Sequence, residues 1–277
     1  MRMPFVKMHG AGNDFIIVDN RPGYLSGTEH ELIRQLCDRH TGIGADGLML
    51  ITPGKEQDFL LQYFNADGYP AAICGNGARC AVLFAWQQGW VSHTERVTFA
   101  TEQEHYQARI IHNHRVAIQF PLPTQLRELP EIAAAVGAGR LWAVHAGVPH
   151  VVALMSQLPD AAKVLSIGRW IRNHAIFQPE GTNVNFIVQD TTGALRARVY
   201  ERGVEAETLA CGTGALACGW VAQTVLEVAP PVQVAYPGGV LQVYTDAHSS
   251  TLWLEGPVAE VFQGSIALPQ NDGEFLT

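Results

Sequence analysis

The sequence has no basic run, no leader pattern and no Cys-x-x-Cys pair. Its 18 Lys and Arg residues are scattered along 277 residues, and its formal net charge is −8. Because nucleic acids and anionic membranes are bound by clustered cations, neither partner is expected. The N-terminus enters folded-looking sequence without an apolar leader followed by a small-residue cleavage site, so we expect a cytoplasmic protein.

Cysteines are few and odd in number. With no secretion signal, an odd count predicts reduced thiols and no disulfide framework. No histidine lies at zinc-finger spacing from them, so no structural metal site is expected. The five positions are Cys37, Cys74, Cys80, Cys211 and Cys218.

The longest uncharged stretch, residues 208–226, could span a bilayer by length alone. It contains several glycines and polar side chains and has no basic flanks, which indicates a helix buried inside a domain. The chain length and its 47% hydrophobic content suit two domains with separate cores.

Short apolar segments bounded by turn residues predict many strands and few helices. Thr28 and Glu31 are spaced as a capping box for a helix that carries Ile33 and Leu36. The residues Pro121-Leu122-Pro123 interrupt the pattern and mark a domain boundary. The predicted strands are 15–18, 47–52 and 59–64, a hairpin of 107–111 and 116–120 turning around Asn113, and then 141–145, 151–154, 184–188, 195–200, 232–236, 241–244 and 251–254.

A weak internal repeat organises the chain. Cys74-Gly75-Asn76-Gly77 opens an apolar segment running through Trp86 and Trp90, and Cys211-Gly212-Thr213-Gly214 opens another running through Trp220. Each loop follows a strand that ends in a polar cluster. Because both segments are uncharged over several turns, each must be surrounded by strands. We therefore predict an α+β fold of two pseudo-symmetric domains, each a curled mixed sheet or barrel around a central helix, with the active site in the interdomain cleft.

A cysteine at the start of a helix lies beside unpaired N–H groups and the positive end of the helix dipole. Such a position lowers a thiol pKa and makes thiolate available near neutral pH. Glycines allow close backbone approach, and a substrate carboxylate can bind the free N–H donors. One such loop is often only a tight turn with a buried cysteine, whereas two matching copies favour a shared chemical role.

Two opposed thiols suit the inversion of a carbon stereocentre without a cofactor. A thiolate removes a proton from one face while the other thiol delivers a proton to the opposite face. Different surroundings can hold the two groups in different protonation states.

Six segments together resemble the diaminopimelate epimerase family, in the order and over the extent typical of that family. The resemblance implies two pseudo-symmetric domains, usual homodimers, no cofactor, no metal and a small amino-acid substrate. It implies an N-terminal domain of residues 1–121 plus 264–277 and a C-terminal domain of residues 122–263. The segments are Lys7–Phe15, Asn65–Gly68, Cys74–Cys80, Gly181–Phe186, Tyr200–Gly203 and Ala210–Ala215.

The resemblance also implies roles for individual residues. Cys74 and Cys211 would be the acid–base pair, and His150 and Glu201 would support proton transfer or hold ammonium groups. Arg202 would bind the distal carboxylate with its planar fork. The remaining substrate contacts would be Asn13, Asn65 and Asn183, with Gly75, Asn76, Gly212 and Thr213 around the reacting carboxylate.

Three positions depart from the common pattern. Gly47 and Val148 replace a Gln and an Asn found in many members, and Tyr69 stands where a Ser is common. Tyr69 could reshape the pocket and with it the substrate. The alternatives are a racemase of another amino acid such as histidine, a proline-racemase-like relative, and a non-catalytic module that uses its thiols for redox or metal binding.

Overall fold

The computed structural model describes residues 1–71, 73–112, 114–245 and 250–268. The chain divides into two compact units, one of Met1–Val116 with the described residues from Val258 onward, and one of Ala117–Pro257. The division falls at 116/117 and 257/258, whereas the sequence placed it at 121/122 and 263/264. As limits of separately folding domains, the predicted bounds stay a prediction. Among the described residues, no helix is long and apolar enough to cross a membrane.

The described part of the first unit contains two helices, and its strands come from both ends of the chain. Helix α1 follows β2, and helix α2 follows β4. Its elements are β1 Arg2–Gly10, β2 Asn13–Asp19, α1 His30–Cys37, β3 Gly47–Pro53, β4 Phe59–Asn65, α2 Gly75–Gln87, β5 Val97–Ala100, β6 His105–His112, the start of β7 Arg115–Pro121, and β17 Ala259–Ala267.

The second unit begins within β7, and its described residues contain three α-helices. Its elements are β8 Thr124–Glu128, α3 Pro130–Val136, β9 Arg140–Ala146, β10 Val148–Leu154, α4 Ala161–Arg172, β11 Asn183–Gln189, β12 Leu195–Glu201, β13 Ala206–Thr208, α5 Gly212–Thr224, β14 Val232–Tyr236, β15 Gly239–Thr245 and β16 Thr251–Pro257. A short 3₁₀ turn, Ala175–Phe177, lies between α4 and β11.

The two units repeat one pattern of strand pairing. In the first, β17, β1 and β2 pair antiparallel, β2 and β3 parallel, β3 and β4 antiparallel, β4 and β5 parallel, and β5 and β6 antiparallel. The second unit has the same succession of antiparallel and parallel pairs, in the strand order β8, β9, β10, β11, β12, β14, β15. In each unit, the two strands of both parallel pairs are joined by a connection that contains a helix, because parallel strands need a long crossover. The predicted α+β fold with an internal repeat is confirmed.

Helices α2 and α5 are the central elements of their units. Every residue of α2 from Gly75 to Ala85 is buried, and α5 is buried from Gly212 to Ala222 except at Thr213 and Trp220. Helix α2 packs against β1, β2, β3 and β6, and α5 packs against β9, β10, β11, β14, β15 and β16. The largely apolar sequences of α2 and α5 are therefore explained by strands on several sides of each helix.

The second glycine of each Cys-Gly-x-Gly loop has a packing role. A Cβ at Gly77 would lie 1.9 Å from the Met49 methyl group and 3.1 Å from the Phe15 ring. A Cβ at Gly214 would lie 2.4 Å from Asn185 Oδ1. Only glycine lets each helix begin this close to its sheet.

Several sequence predictions need correction. The capping box at Thr28 and Glu31 is wrong, because the Glu29 carboxylate accepts from the Ser26 backbone N–H at 3.0 Å and the helix begins at His30. Trp90 lies beyond the end of α2. Helices α3 and α4 and strands β1, β5, β8 and β13 were not predicted, and the predicted turn at Asn113 lies outside the described residues.

Candidate active site

Cys74 and Cys211 are the N-cap residues of the two central helices. Both have extended backbones, with ψ of 119° in each case. The first intrahelical bonds run from Ala78 N–H to the Cys74 carbonyl and from Ala215 N–H to the Cys211 carbonyl. The preceding N–H groups of each first turn therefore lie outside the helical hydrogen-bond ladder, where they can bind an anion.

The Cys211 sulfur lies among hydrogen-bond donors. Its Sγ accepts from the Gly214 backbone N–H at 3.3 Å and lies 3.5 Å from the Thr213 hydroxyl. The side chain is buried, with 5% of its surface exposed. Donors of this kind favour the thiolate form of a cysteine.

The Cys74 sulfur contacts the Asn13 side chain, which is held in turn by a charged side chain. Its Sγ donates to Asn13 Oδ1 at 3.3 Å, while Asn13 Nδ2 donates to the Asp46 carboxylate. Because a carboxylate only accepts, this second bond fixes the Asn13 amide with its oxygen toward the thiol. The contact therefore supports the protonated form of Cys74.

Asp46 belongs to an ion-pair cluster in the first unit. Arg39 Nη2 lies 2.7 Å from both Asp14 and Asp46, and the buried Lys7 ammonium lies 2.7 Å from Asp14. Burial alone would raise the pKa of Asp14, but hydrogen bonds from Arg39 and Lys7 outweigh it and hold that pKa below its usual range. The cluster anchors the start of β2, where Asn13 lies.

Asn65 and Gly47 are adjacent in the sheet. Gly47 pairs with both Phe15 and Asn65, so Asn65 lies at the same end of the sheet as Asn13. The Tyr63 hydroxyl donates to Asn65 Oδ1 at 2.9 Å. A Cβ at Gly47 would lie 2.6 Å from the Tyr63 ring, so this tyrosine occupies the space that a Gln side chain there would need.

Gly75 and Asn76 form the buried first turn of α2. The Asn76 Oδ1 atom accepts from Arg79 Nη2 at 2.7 Å, and the Gly75 carbonyl accepts from Arg79 Nη1 at 3.2 Å. Arg79 thereby braces the turn that follows Cys74. The equivalent Gly212 is buried and Thr213 is partly exposed.

In the second unit, β10, β11 and the end of β12 bring three predicted residues together. His150 is the strand partner of Asn183. Asn183 Oδ1 accepts from the Arg202 backbone N–H at 2.8 Å, and its Nδ2 donates to the Pro149 carbonyl at 3.3 Å. The Arg202 guanidinium is partly exposed and donates to the Glu180 carbonyl at 3.0 Å. The other donors of this five-donor group can bind a ligand.

His150 is fully buried and electrically neutral. Burial, and then the charge of Arg202, lowers its pKa to about 3. Asn185 Nδ2 lies 3.2 Å from His150 Nδ1 and donates to the Val151 carbonyl at 3.0 Å. Because the Asn185 amide must present N–H groups, Nδ1 accepts and the ring proton lies on Nε2. Among the described residues, that Nε2 has no hydrogen-bond partner.

Glu201 and Tyr236 complete the polar groups of the second unit. The Glu201 carboxylate accepts from the Thr208 hydroxyl at 2.6 Å. Burial, then the charges of Cys218 and Cys211, raises the pKa of Tyr236 above its usual value, so the phenol stays protonated. Its hydroxyl lies 3.4 Å from Asn185 Oδ1.

Sequence reasoning missed four residues that hold this arrangement. Arg79 and Asn185 lie within segments already compared with the family, and Asp46 precedes Gly47, but their sequence neighbours gave no sign of their partners. Tyr236 was read only as the end of a strand. Of the departures, Tyr69 is 59% exposed and its ring stacks on His30 at 4.5 Å, and Val148 is partly buried in β10.

Comparison with known proteins links both units to one family. Residues 5–120 and 142–260 match the family described as Diaminopimelate epimerase. The chain is 38% identical over 276 residues to the diaminopimelate epimerase of a Hydrogenobaculum species, covering 96% of this chain and 99% of that protein. It is 40% identical over 263 residues to that of Chlorobaculum tepidum, covering 94% and 100%.

Solved structures share the fold at low sequence identity. A phenazine biosynthesis protein of the PhzF family from Bacillus anthracis matches with a TM-score of 0.71 at 14% identity, over 97% of this chain and all of that one. A probable proline racemase from Agrobacterium radiobacter matches with a TM-score of 0.66 at 17% identity, over 98% and 94%. The matched residues and near full-length relatives show that the chain belongs to the diaminopimelate epimerase family.

Proposed function

We propose that this chain is an isomerase that converts LL-2,6-diaminopimelate to the meso form, using Cys74 and Cys211 as its acid–base pair. One observation carries the mechanism: each cysteine N-caps the central helix of a unit built on the same strand order. Family membership supports the reaction, and a place in lysine and peptidoglycan precursor synthesis follows from it. The relatives named diaminopimelate epimerase match this chain over nearly their whole length.

The proposed step removes a proton from one face of the α-carbon and adds a proton to the opposite face. A thiolate takes the α-proton and becomes a thiol, and the electron pair left on carbon is shared with the adjacent carboxylate. The other thiol then donates its proton to the opposite face and becomes a thiolate. Atoms and charge balance without an added redox partner, and proton exchange with water restores the starting state.

Backbone donors at the two helix N-termini would stabilise the charge on the reacting carboxylate. The N–H groups of Gly75, Asn76, Gly212 and Thr213 belong to the first turns of α2 and α5. Such donors act most strongly where negative charge grows during the reaction. Since the carboxylate gains electron density as the proton leaves, these groups favour the transition state over the bound substrate.

The distal end of the substrate would be bound by Arg202, Asn65 and Asn183. Arg202 can offer a planar fork to a carboxylate, and Asn183 fixes the backbone from which that fork projects. Asn13 would be a further polar contact, through its amide beside Cys74. This part of the proposal explains why a diamino diacid would be preferred to an amino acid with an apolar side chain.

His150 and Glu201 would assist the thiols by hydrogen bonding. His150 stays neutral at physiological pH and carries its proton on Nε2, so it can act as a donor but not as a cation. Glu201 is held by Thr208 and can accept a hydrogen bond or hold an ammonium group.

Deuterium uptake at the α-carbon tests the proposal. Samples of LL-diaminopimelate, histidine, glutamate and proline are incubated in D₂O without added cofactor and followed by NMR. Uptake with inversion confined to diaminopimelate is the expected result. Uptake only with another amino acid, as Tyr69 and Val148 would favour, would keep the two-thiol chemistry and overturn the substrate.

We further propose that the enzyme is a cytoplasmic homodimer that needs no pyridoxal cofactor. The basis is the family resemblance, which also supports the predicted domain bounds. Sedimentation of the purified chain at two concentrations tests the dimer. A monomer at both would contradict it. Undiminished activity after treatment with a carbonyl reagent is expected, since no carbonyl cofactor takes part.

A further inference from the structure

Arg79 is a fully buried cation in the first turns of α2. None of its surface is exposed, and both of its hydrogen bonds go to neutral oxygens, the Gly75 carbonyl and the Asn76 amide. Its Nε atom has no hydrogen-bond partner among the described residues. A buried guanidinium is costly unless it is paired, because it loses its hydration without gaining an opposite charge.

The groups whose charges act on Arg79 include no carboxylate in the described part of the chain. The groups whose charges act on it are Cys80, Cys74 and Arg115. Arg115 carries the same charge and repels it. Burial raises the pKa of Cys80 well above its usual range, so that thiol stays neutral. Of these three groups, Cys74 is the one that becomes an anion in the proposed reaction.

Several ionisable groups on the strands packed against α2 are paired with one another. Lys7 and Asp14 pair with each other at 2.7 Å and act on the pKa of Cys37, with Asp46 and Arg39. Burial lowers the pKa of Arg79 itself to about 10, which leaves it charged at neutral pH. A positive charge therefore lies close after the Cys74 N-cap at neutral pH, and the Arg79 side chain reaches back to Gly75.

We propose that Arg79 is the buried counter-charge of the Cys74 thiolate, and hence a positioning residue that acts on the reaction through Cys74. Asn13 accepts from the thiol and supports the protonated state, whereas Arg79 supports the ionised state. A cysteine that must both give and receive a proton needs the two states to be close in free energy. The inference rests on the proposed function only in taking Cys74 as the reactive thiol.

Alkylation of Cys74 tests this without measuring turnover. The rate of modification by iodoacetamide is followed from pH 6 to pH 10 by mass spectrometry of the Cys74 peptide, in the wild type, Arg79→Gln and Arg79→Lys. Because a neighbouring opposite charge lowers a thiol pKa by about 1–3 units, Arg79→Gln should react at least about tenfold more slowly at pH 7. Arg79→Lys keeps the charge and should stay within about threefold of the wild type.

The controls separate charge from folding and from the proposed function. Circular dichroism reports whether each variant folds. If Arg79→Gln does not fold, the alkylation rate of Cys74 can still be measured in Arg79→Lys. Equal reactivity of Cys74 in folded Arg79→Gln and wild type would overturn the inference, as would a tenfold slower reaction in Arg79→Lys. Failure of the proposed function is a different result: Cys74→Ala would then keep its epimerase activity.

Discussion

Replacing Asn185 by leucine is expected to destabilise the second unit by several kilocalories per mole. Leucine has a similar size but no polar atoms. Asn185 is fully buried, and its Nδ2 reaches His150 Nδ1 at 3.2 Å and the Val151 carbonyl at 3.0 Å. Both acceptors would lose a donor in a place without solvent.

The magnitude follows from the number of groups left unpaired. Each buried polar group without a partner costs about 1–3 kcal/mol, so two of them cost about 2–6 kcal/mol. The Tyr236 contact, at 3.4 Å, is long and adds little. Leucine would also release the His150 ring from its present tautomer, so activity should fall even at temperatures where the variant is folded.

Urea unfolding followed by tryptophan fluorescence measures the loss, as the change in midpoint multiplied by the slope. Hydrogen exchange of β10 and β11 shows whether the loss lies in the second unit. Gln189→Ala is the matched control, because Gln189 ends the same strand, is partly exposed and should change stability by less than about 0.5 kcal/mol. A loss below about 1 kcal/mol for Asn185→Leu would refute the assigned network.

Four other outcomes are expected. Cys74→Ala and Cys211→Ala should each abolish inversion, whereas the serine variants should retain slow deuterium exchange on one face; inversion by either alanine variant would refute the acid–base pair. Mild oxidation should join the two thiols and stop turnover reversibly, and a fully active disulfide form would show that they do not share one carbon. Arg202→Ala should raise the KM for diaminopimelate about 10–100-fold, through the loss of a charged hydrogen-bond partner, and an unchanged KM would point to another substrate. Asp14→Asn should lower the free energy of unfolding at pH 7 by about 1 kcal/mol after allowance for solvent screening. Because the folded-state pKa of Asp14 is depressed, the difference in stability from wild type should be full above pH 4 and should shrink as the pH falls further. A stability difference that does not change with pH would contradict this.

The amino-acid sequence by itself determined where most strands and the two central helices of this protein lie. Apolar segments bounded by turn residues located most strands within a few residues, because strand patterning is local. The apolar segments that follow the Cys74 and Cys211 loops required burial on several sides, and the matching loops placed both cysteines at helix starts. Local patterning failed at Thr28 and Glu31, since Ser26 and Glu29 form a competing pair of the same spacing.

The tertiary structure decided which side chains meet. The contacts of Asn185 with His150 and Tyr236 span 35 and 51 residues, and that of Cys74 with Asn13 spans 61. No local period encodes such pairs, because they arise only when strand register brings distant segments side by side. Burial of Arg79 without a carboxylate is likewise a property of the packed unit: in the sequence it reads as one arginine on a helix, and only the surrounding strands remove it from water.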